Sequence, residues 1–212
     1  MANRKNHYEA AFEAYLRDER LPYVAVDERR RALVGDGSLK SLDYIVSPAV
    51  GSPGSAEPLG GGYAPATRWL VDVKGRRFPS GTKQPQYWGN WSTEDDLRSL
   101  ACWRQEFGGA FESALVFAYQ LTAERSPTPP EQVFYHGDTP YAFVGIRLDD
   151  YRSAARRRSA KWGTVSVPIA DFRTLAEPLR DLFDGSPPEN TGSSPAGNAA
   201  FAPAQGLSAG VQ

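Results

Sequence analysis

The chain of 212 residues holds a single cysteine, Cys102. That excludes an intramolecular disulfide and any zinc site of the multi-cysteine kind. No apolar run approaches the roughly 20 residues needed to span a bilayer. The opening MANRKNHYEAAFEAYLRDE is charged and lacks the apolar stretch of a signal peptide. The expectation is a soluble, cytoplasmic protein with no membrane partner. Excess charge of either sign is missing too: 24 Lys and Arg against 25 Asp and Glu leave a formal net charge of −1. The bulk footprint of a polyanion-binding domain is therefore absent, although a basic face around an acidic metal site would average to nearly zero.

What is present is a core-forming chain. Aromatic residues make up 12% and include five tryptophans, a content that fully disordered chains do not carry. Residues 1–184 are expected to form one domain. The segment 185–212 is rich in Pro, Gly, Ser and Ala and almost uncharged. It is expected to be a disordered tail, because it buries too little apolar surface to offset its ordering entropy. A second Gly/Pro-rich stretch, residues 47–67, is an insert between two strand-like runs. Loops of that length inside a compact domain are usually functional or disordered. No internal repeat is present.

Tyr8, Ala11, Phe12, Tyr15 and Leu16 have the spacing of an amphipathic helix. Asn6 is a candidate N-cap, with Glu9 in the capping-box position. Short β-type runs follow at Tyr23–Val26, Ser41–Val46 and Arg68–Lys74, the last ended by Gly75. A second helix is expected from Ser92 or Thr93 to Phe107, with Asp95 or Asp96 completing its cap. Strands at Ser113–Leu121 and Tyr141–Leu148 and a closing helix over Asp171–Phe183 complete the pattern. This order predicts an α/β or α+β domain whose first three strands form an antiparallel meander.

Charges interrupt this pattern where they are costly. Asp72 and Lys74 stand two apart on one strand, so both point to the same face. Their flanks Trp69, Leu70, Val71 and Val73 are apolar. Buried unpaired, the two charges would be expensive; they need each other, a metal, or the open end of a sheet. Asp43 likewise interrupts the apolar run SLDYIV. If the second and third strands are neighbours, Asp43 and Asp72 lie side by side, and two such carboxylates need a shared proton or a cation between them. Oxygen donors of this kind suit Mg²⁺ or Mn²⁺. Glu9 lies at the margin of the helix's apolar stripe, and Glu13 about 40° further toward solvent. Each motif alone has a plainer reading. Asp-Val-Lys can be a structural ion pair at a sheet edge, Asp43 a turn residue, Glu9 a capping residue and Glu13 a solvated helix face.

In order, the set is an acid on the first helix, an acid on the second strand, and Asp-x-Lys on the third. This arrangement resembles the PD-(D/E)xK nuclease superfamily, which includes restriction endonucleases and archaeal Holliday-junction resolvases. The segments NHYEAAFEAYLRDERLPYVAVDE, SLDYIV and WLVDVKGR carry the resemblance, from about Asn6 to Leu121. The residue before Asp43 is Leu rather than the motif's Pro, and the 47–67 insert is long for the turn between the metal strands.

The resemblance implies a restriction endonuclease-like core of order αβββαβ with a C-terminal αβ extension, and a Mg²⁺-dependent endonuclease acting on DNA ahead of RNA. Asp43, Asp72, the Val73 carbonyl and Glu9 would hold the metal, with Glu9 preferred to Glu13. Lys74 would orient or help deprotonate the attacking water. Cutting two strands implies a homodimer. Arg76, Arg77 and Lys83 are the expected nucleic-acid contacts. The Arg152–Lys161 cluster is a second candidate beside its reading as a solvated helix face. Tyr87, Trp88 and Trp91 are open to base stacking or to core packing. A catalytically silent nucleic-acid- or protein-binding module of the same fold is the alternative, and a domain whose charges merely pair is a third.

Overall fold

A computed structural model describes residues 6–27, 32–34, 37–47, 67–81 and 83–184. Residues 48–66 of the Gly/Pro-rich insert, the Arg29–Arg31 triplet and the segment from 185 onward lie outside the described residues.

Helix α1 (His7–Asp18) starts where Asn6 accepts the Tyr8 amide, and it buries Ala11, Phe12, Tyr15 and Leu16. The spacing of these four produces the stripe. After it come β1 (Tyr23–Ala25), a small hairpin of β2 (Ala32–Val34) and β3 (Gly37–Leu39), then β4 (Tyr44–Val46) and β5 (Arg68–Phe78). The short β6 (Ser92–Thr93) leads straight into α2 (Glu94–Phe107). Thr93 caps α2, with a reciprocal capping box to Asp96. Next are β7 (Phe111–Leu121), β8 (Phe134–His136), β9 (Thr139–Arg147) and α3 (Leu148–Ala154). The chain then forms β10 (Arg156–Ser159), β11 (Thr164–Ser166), α4 (Ile169–Leu175), β12 (Glu177–Pro178) and α5 (Leu179–Asp184).

The result is an α+β fold around a mixed sheet of order β1-β4-β5-β7-β9-β12, with β8 paired to β9. The expected antiparallel meander is there: β1 pairs β4 and β4 pairs β5, both antiparallel. Helix α2 then carries the chain over so that β7 runs parallel to β5 along its whole length. The described elements thus follow the αβββαβ order of the restriction endonuclease-like core. Each face of the sheet is covered. On one, α1 packs Phe12 and Leu16 into a cluster with Val71, Val73 and Val116. On the other, Leu97 and Leu100 of α2 join Leu70, Leu115 and Phe117. A second sheet, β10-β11-β6, stands at the N-terminal end of α2.

Three expectations need correction. The helix expected over Asp171–Phe183 is two helices, because Pro178 has no amide to continue one and favours extended backbone before it; Glu177 and Pro178 instead pair with β9. The Arg156–Arg158 run is a strand rather than a helix face. Gly75 does not end β5, which continues to Phe78. Its role is close approach: a Cβ there would stand 2.1 Å from Tyr8 Cδ2, so glycine lets α1 settle onto the sheet.

Gly75→Ala should therefore destabilise the fold by about 1–3 kcal/mol, read as a lower urea midpoint. Shortening Tyr8 to Ala in the same chain should recover much of that loss, a coupling that a double-mutant cycle measures.

Candidate active site

The charged end of the sheet is set by where one strand stops. β4 begins at Tyr44, opposite Val71, and among the described residues no strand pairs with β5 on that side beyond Val71. The regular register ends there, and Asp43 follows as an irregular residue that bonds back to Val71. The Val73 amide, which a longer β4 would satisfy, donates instead to Asp43 Oδ2 at 2.6 Å. The Asp43 amide donates to the Val71 carbonyl at 3.0 Å, and the Asp43 carbonyl accepts from Val26 at 2.9 Å. A carboxyl only 4% exposed is thus fixed by backbone bonds. The Val73 carbonyl faces the same unpaired edge as its amide, since both groups of a strand residue point one way.

Asp72 and Lys74 leave β5 on the α2 face. Lys74 Nζ lies 2.7 Å from Asp72 Oδ2 and 3.0 Å from Asp96 Oδ2. Burial pulls the Lys74 ammonium down, but the charges and hydrogen bonds of Asp72 and Asp96 outweigh it and raise the pKa above the ordinary lysine value. Lys74 is held charged. Burial raises the Asp72 carboxyl; Lys74 pulls it back, Asp96 pushes it further up, and a hydrogen bond with Asp43 lowers it, leaving a net rise. Two neighbouring buried carboxyls repel each other when both are ionised, a conflict that a proton or a cation resolves. Burial raises Asp96 as well, yet Lys74 and the hydrogen bonds from Lys40, Lys74 and Thr93 bring it well below the usual carboxylate range.

These groups line one cleft of about 280 Å³. Glu9 lines it too, although α1 covers the opposite face of the sheet. Glu9 Oε1 accepts from Asn6 Nδ2 at 2.6 Å. Glu13 does not line the cleft and bonds Arg17 at 2.5 Å and the Tyr23 hydroxyl at 2.9 Å. Among the described residues no three His, Cys, Asp or Glu side chains converge as a ready-made metal cage. The donors brought together are the Asp43–Asp72 pair, with Val73 and Glu9 at the cleft wall. Mg²⁺ is commonly held by one or two carboxylates, the rest of its shell being water and substrate phosphate. The all-oxygen donor pair fits such an ion.

Two residues of the cleft were not legible as site residues. Asp96 reads in sequence as a helix cap, and it is one, but it also bonds Lys74 and, at 2.8 Å, Lys40. Lys40 carried no signal beyond being a lysine before the second strand. The expected contacts divide. Arg76 is committed internally: it donates to the Gly75 carbonyl at 2.7 Å and to the Trp91 carbonyl, and its guanidinium lies 3.9 Å from the Trp91 ring centroid. Arg77 and Lys83 are exposed. Trp88 packs on Phe78, Tyr119 and Phe172, so core packing explains it.

No family model matches the chain, and a search of curated proteins finds no match. Among solved structures the chain is similar to Archaeoglobus fulgidus Hjc, a Holliday junction resolvase from an archaeal hyperthermophile, with a TM-score of 0.44 and 12% identity over 83% of this chain and 97% of that one. A likeness of that size concerns outline alone, and the reading of the site rests on the distances above. No helix among the described residues is long and apolar enough to cross a membrane.

Lys74→Met should lower stability at neutral pH by about 3 kcal/mol, because buried carboxylates lose their cation. A carboxyl whose folded pKa exceeds its unfolded value costs stability as pH rises through that interval. The deficit should therefore shrink as pH falls through the raised Asp72 titration toward about 4, where a neutral Asp72 needs no counter-charge. Urea midpoints across the acid range test this, and a deficit flat with pH contradicts the network.

Proposed function

We propose that this chain is a Mg²⁺- or Mn²⁺-dependent nuclease that hydrolyses phosphodiester bonds, with DNA as its polymer. The observation that supports this best is that Asp43 and Asp72 line one open cleft together, with the Lys74 ammonium 2.7 Å from Asp72. The choice of DNA rests on the ordered resemblance of Glu9, Asp43, Asp72 and Lys74 to the PD-(D/E)xK set.

Asp43, Asp72 and the Val73 carbonyl would hold the ion, with Glu9 at the rim of its shell. When bound, the ion supplies Lewis-acid polarisation of a phosphoryl oxygen and acidifies a water. Asp43 keeps its place through the Val73 amide whether or not it carries a proton. Lys74, held charged by its two carboxylates, is a poor base; its work is to orient the water and to offset charge on the phosphate. Asp96 is a positioning residue, fixing Lys74 from the first turn of α2. The second reading, a silent module of the same fold, is favoured by one observation: Lys74 is already satisfied by Asp72 and Asp96.

Labelled linear, branched and single-stranded DNA and RNA, incubated with Mg²⁺ or Mn²⁺, separate the two. Cleavage should stop on chelation and fall by about a hundredfold or more in Asp72→Asn, Asp43→Asn and Lys74→Ala, with binding retained. Tight binding with no cut of any substrate establishes the silent module instead. Because protons compete with the ion for the same carboxylates, Mn²⁺ affinity measured by calorimetry should weaken as pH is lowered through the raised Asp72 titration.

A further inference from the structure

A hairpin that the site does not use stands beside it. Strands β10 and β11 are joined by a turn whose Trp162 is 70% exposed, with Lys161 Nζ 5.4 Å from the ring centroid. Arg156, Arg157 and Arg158 on β10 are exposed as well. A lone exposed tryptophan needs no explanation, and a run of basic residues is usually solvated. Their placement is what carries meaning here.

The hairpin is pinned to the cleft's own scaffold. β11 pairs with β6, and the Gly163 carbonyl accepts from the Glu94 amide at 2.8 Å. Asn90 ties its far end through both groups of Val167, each at 3.0 Å. The Tyr151 hydroxyl adds a bond to the Val165 carbonyl at 3.2 Å. β6 runs directly into the turn of α2 that carries Asp96, so the hairpin and Lys74 are held by the same few residues. Lys40 lines both the cleft and the depression beneath Trp162. That depression also contains Glu94 and Asp95, but each faces cations: Glu94 lies 3.4 Å from Arg157, and Asp95 lies 3.4 Å from Lys40 and bonds Arg98. Lys40, Arg98 and Arg157 are thus shared with acids, and the cation that stands by the exposed indole is Lys161.

We propose that the β10–β11 hairpin engages an unpaired nucleotide, with Trp162 stacked on its base while Lys161 contacts a flanking phosphate. This rests on the nuclease reading and adds the substrate class: a strand that is single or branched near the cut. Inside a duplex the base faces are occupied by their neighbours, whereas an unpaired base offers one to an indole. Stacking of this kind is tolerant of sequence, and a cation beside it meets the backbone.

Fluorescence anisotropy with labelled single-stranded, branched and blunt duplex DNA, on the whole chain without Mg²⁺, tests the assignment. Trp162→Ala should weaken binding to single-stranded and branched DNA by about tenfold, leave blunt duplex unchanged, and be largely rescued by Trp162→Phe. Equal weakening on the blunt duplex, or none on any DNA, overturns it. If the wild-type chain cleaves DNA and Trp162→Ala binds like it, the hairpin assignment alone fails. A wild-type chain that neither binds nor cleaves DNA removes the nuclease reading and this one with it.

Discussion

The site depends on one hydrogen bond, from the Val73 amide to the Asp43 carboxyl. It forms because β4 stops before β5 does, leaving a backbone donor that must be satisfied. The sheet supplies a side chain where it could have supplied a strand. That substitution draws a carboxyl into the interior beside Asp72 and leaves the Val73 carbonyl along the same edge, on the cleft wall that Glu9 shares. A β4 two residues longer would give a better ladder and no site.

The rest of the charge arrangement follows from that burial. Two adjacent carboxyls in a low-dielectric setting are unfavourable without a proton or a cation. Lys74 answers part of this from the same strand, and Asp96 balances Lys74 from the start of α2. Because Asp96 is also the third helical residue of a capping box, the bonds that begin the helix also aim the amine. The strand pair β5–β7 then fixes α2 over the cleft, since the helix is the crossover between them.

Much of this was legible in the chain itself. The stripe on α1, the Asp-x-Lys on an apolar strand and the cap of α2 are local patterns whose physics operates within a few residues. The side-by-side placement of Asp43 and Asp72 followed from assuming the simplest meander. What could not be read was long-range or doubly used. Asp96 has a complete local explanation as a cap, so nothing in its surroundings demanded a second partner; three successive acids in the first turn of α2 were the one faint sign of surplus. Arg76 looked free because its partner, Trp91, comes after an irregular segment whose path sequence does not reveal. Gly75 looked like a terminator because a breaker and a close contact have the same letter. Pro178, by contrast, is a local signal that the expected single helix over Asp171–Phe183 passed over.

Among the described residues β5 changes character along its length, enclosed between two strands at its start and bordered by only one near its end. A bare strand border is a template on which another polypeptide can add itself, and proteins resist such accretion by studding the border with charge. Asp72, Lys74, Arg76 and Arg77 fall on that half of the strand. The groups that equip the cleft therefore also guard the molecule against self-association, and a variant stripped of them for biochemical work would be expected to grow stickier.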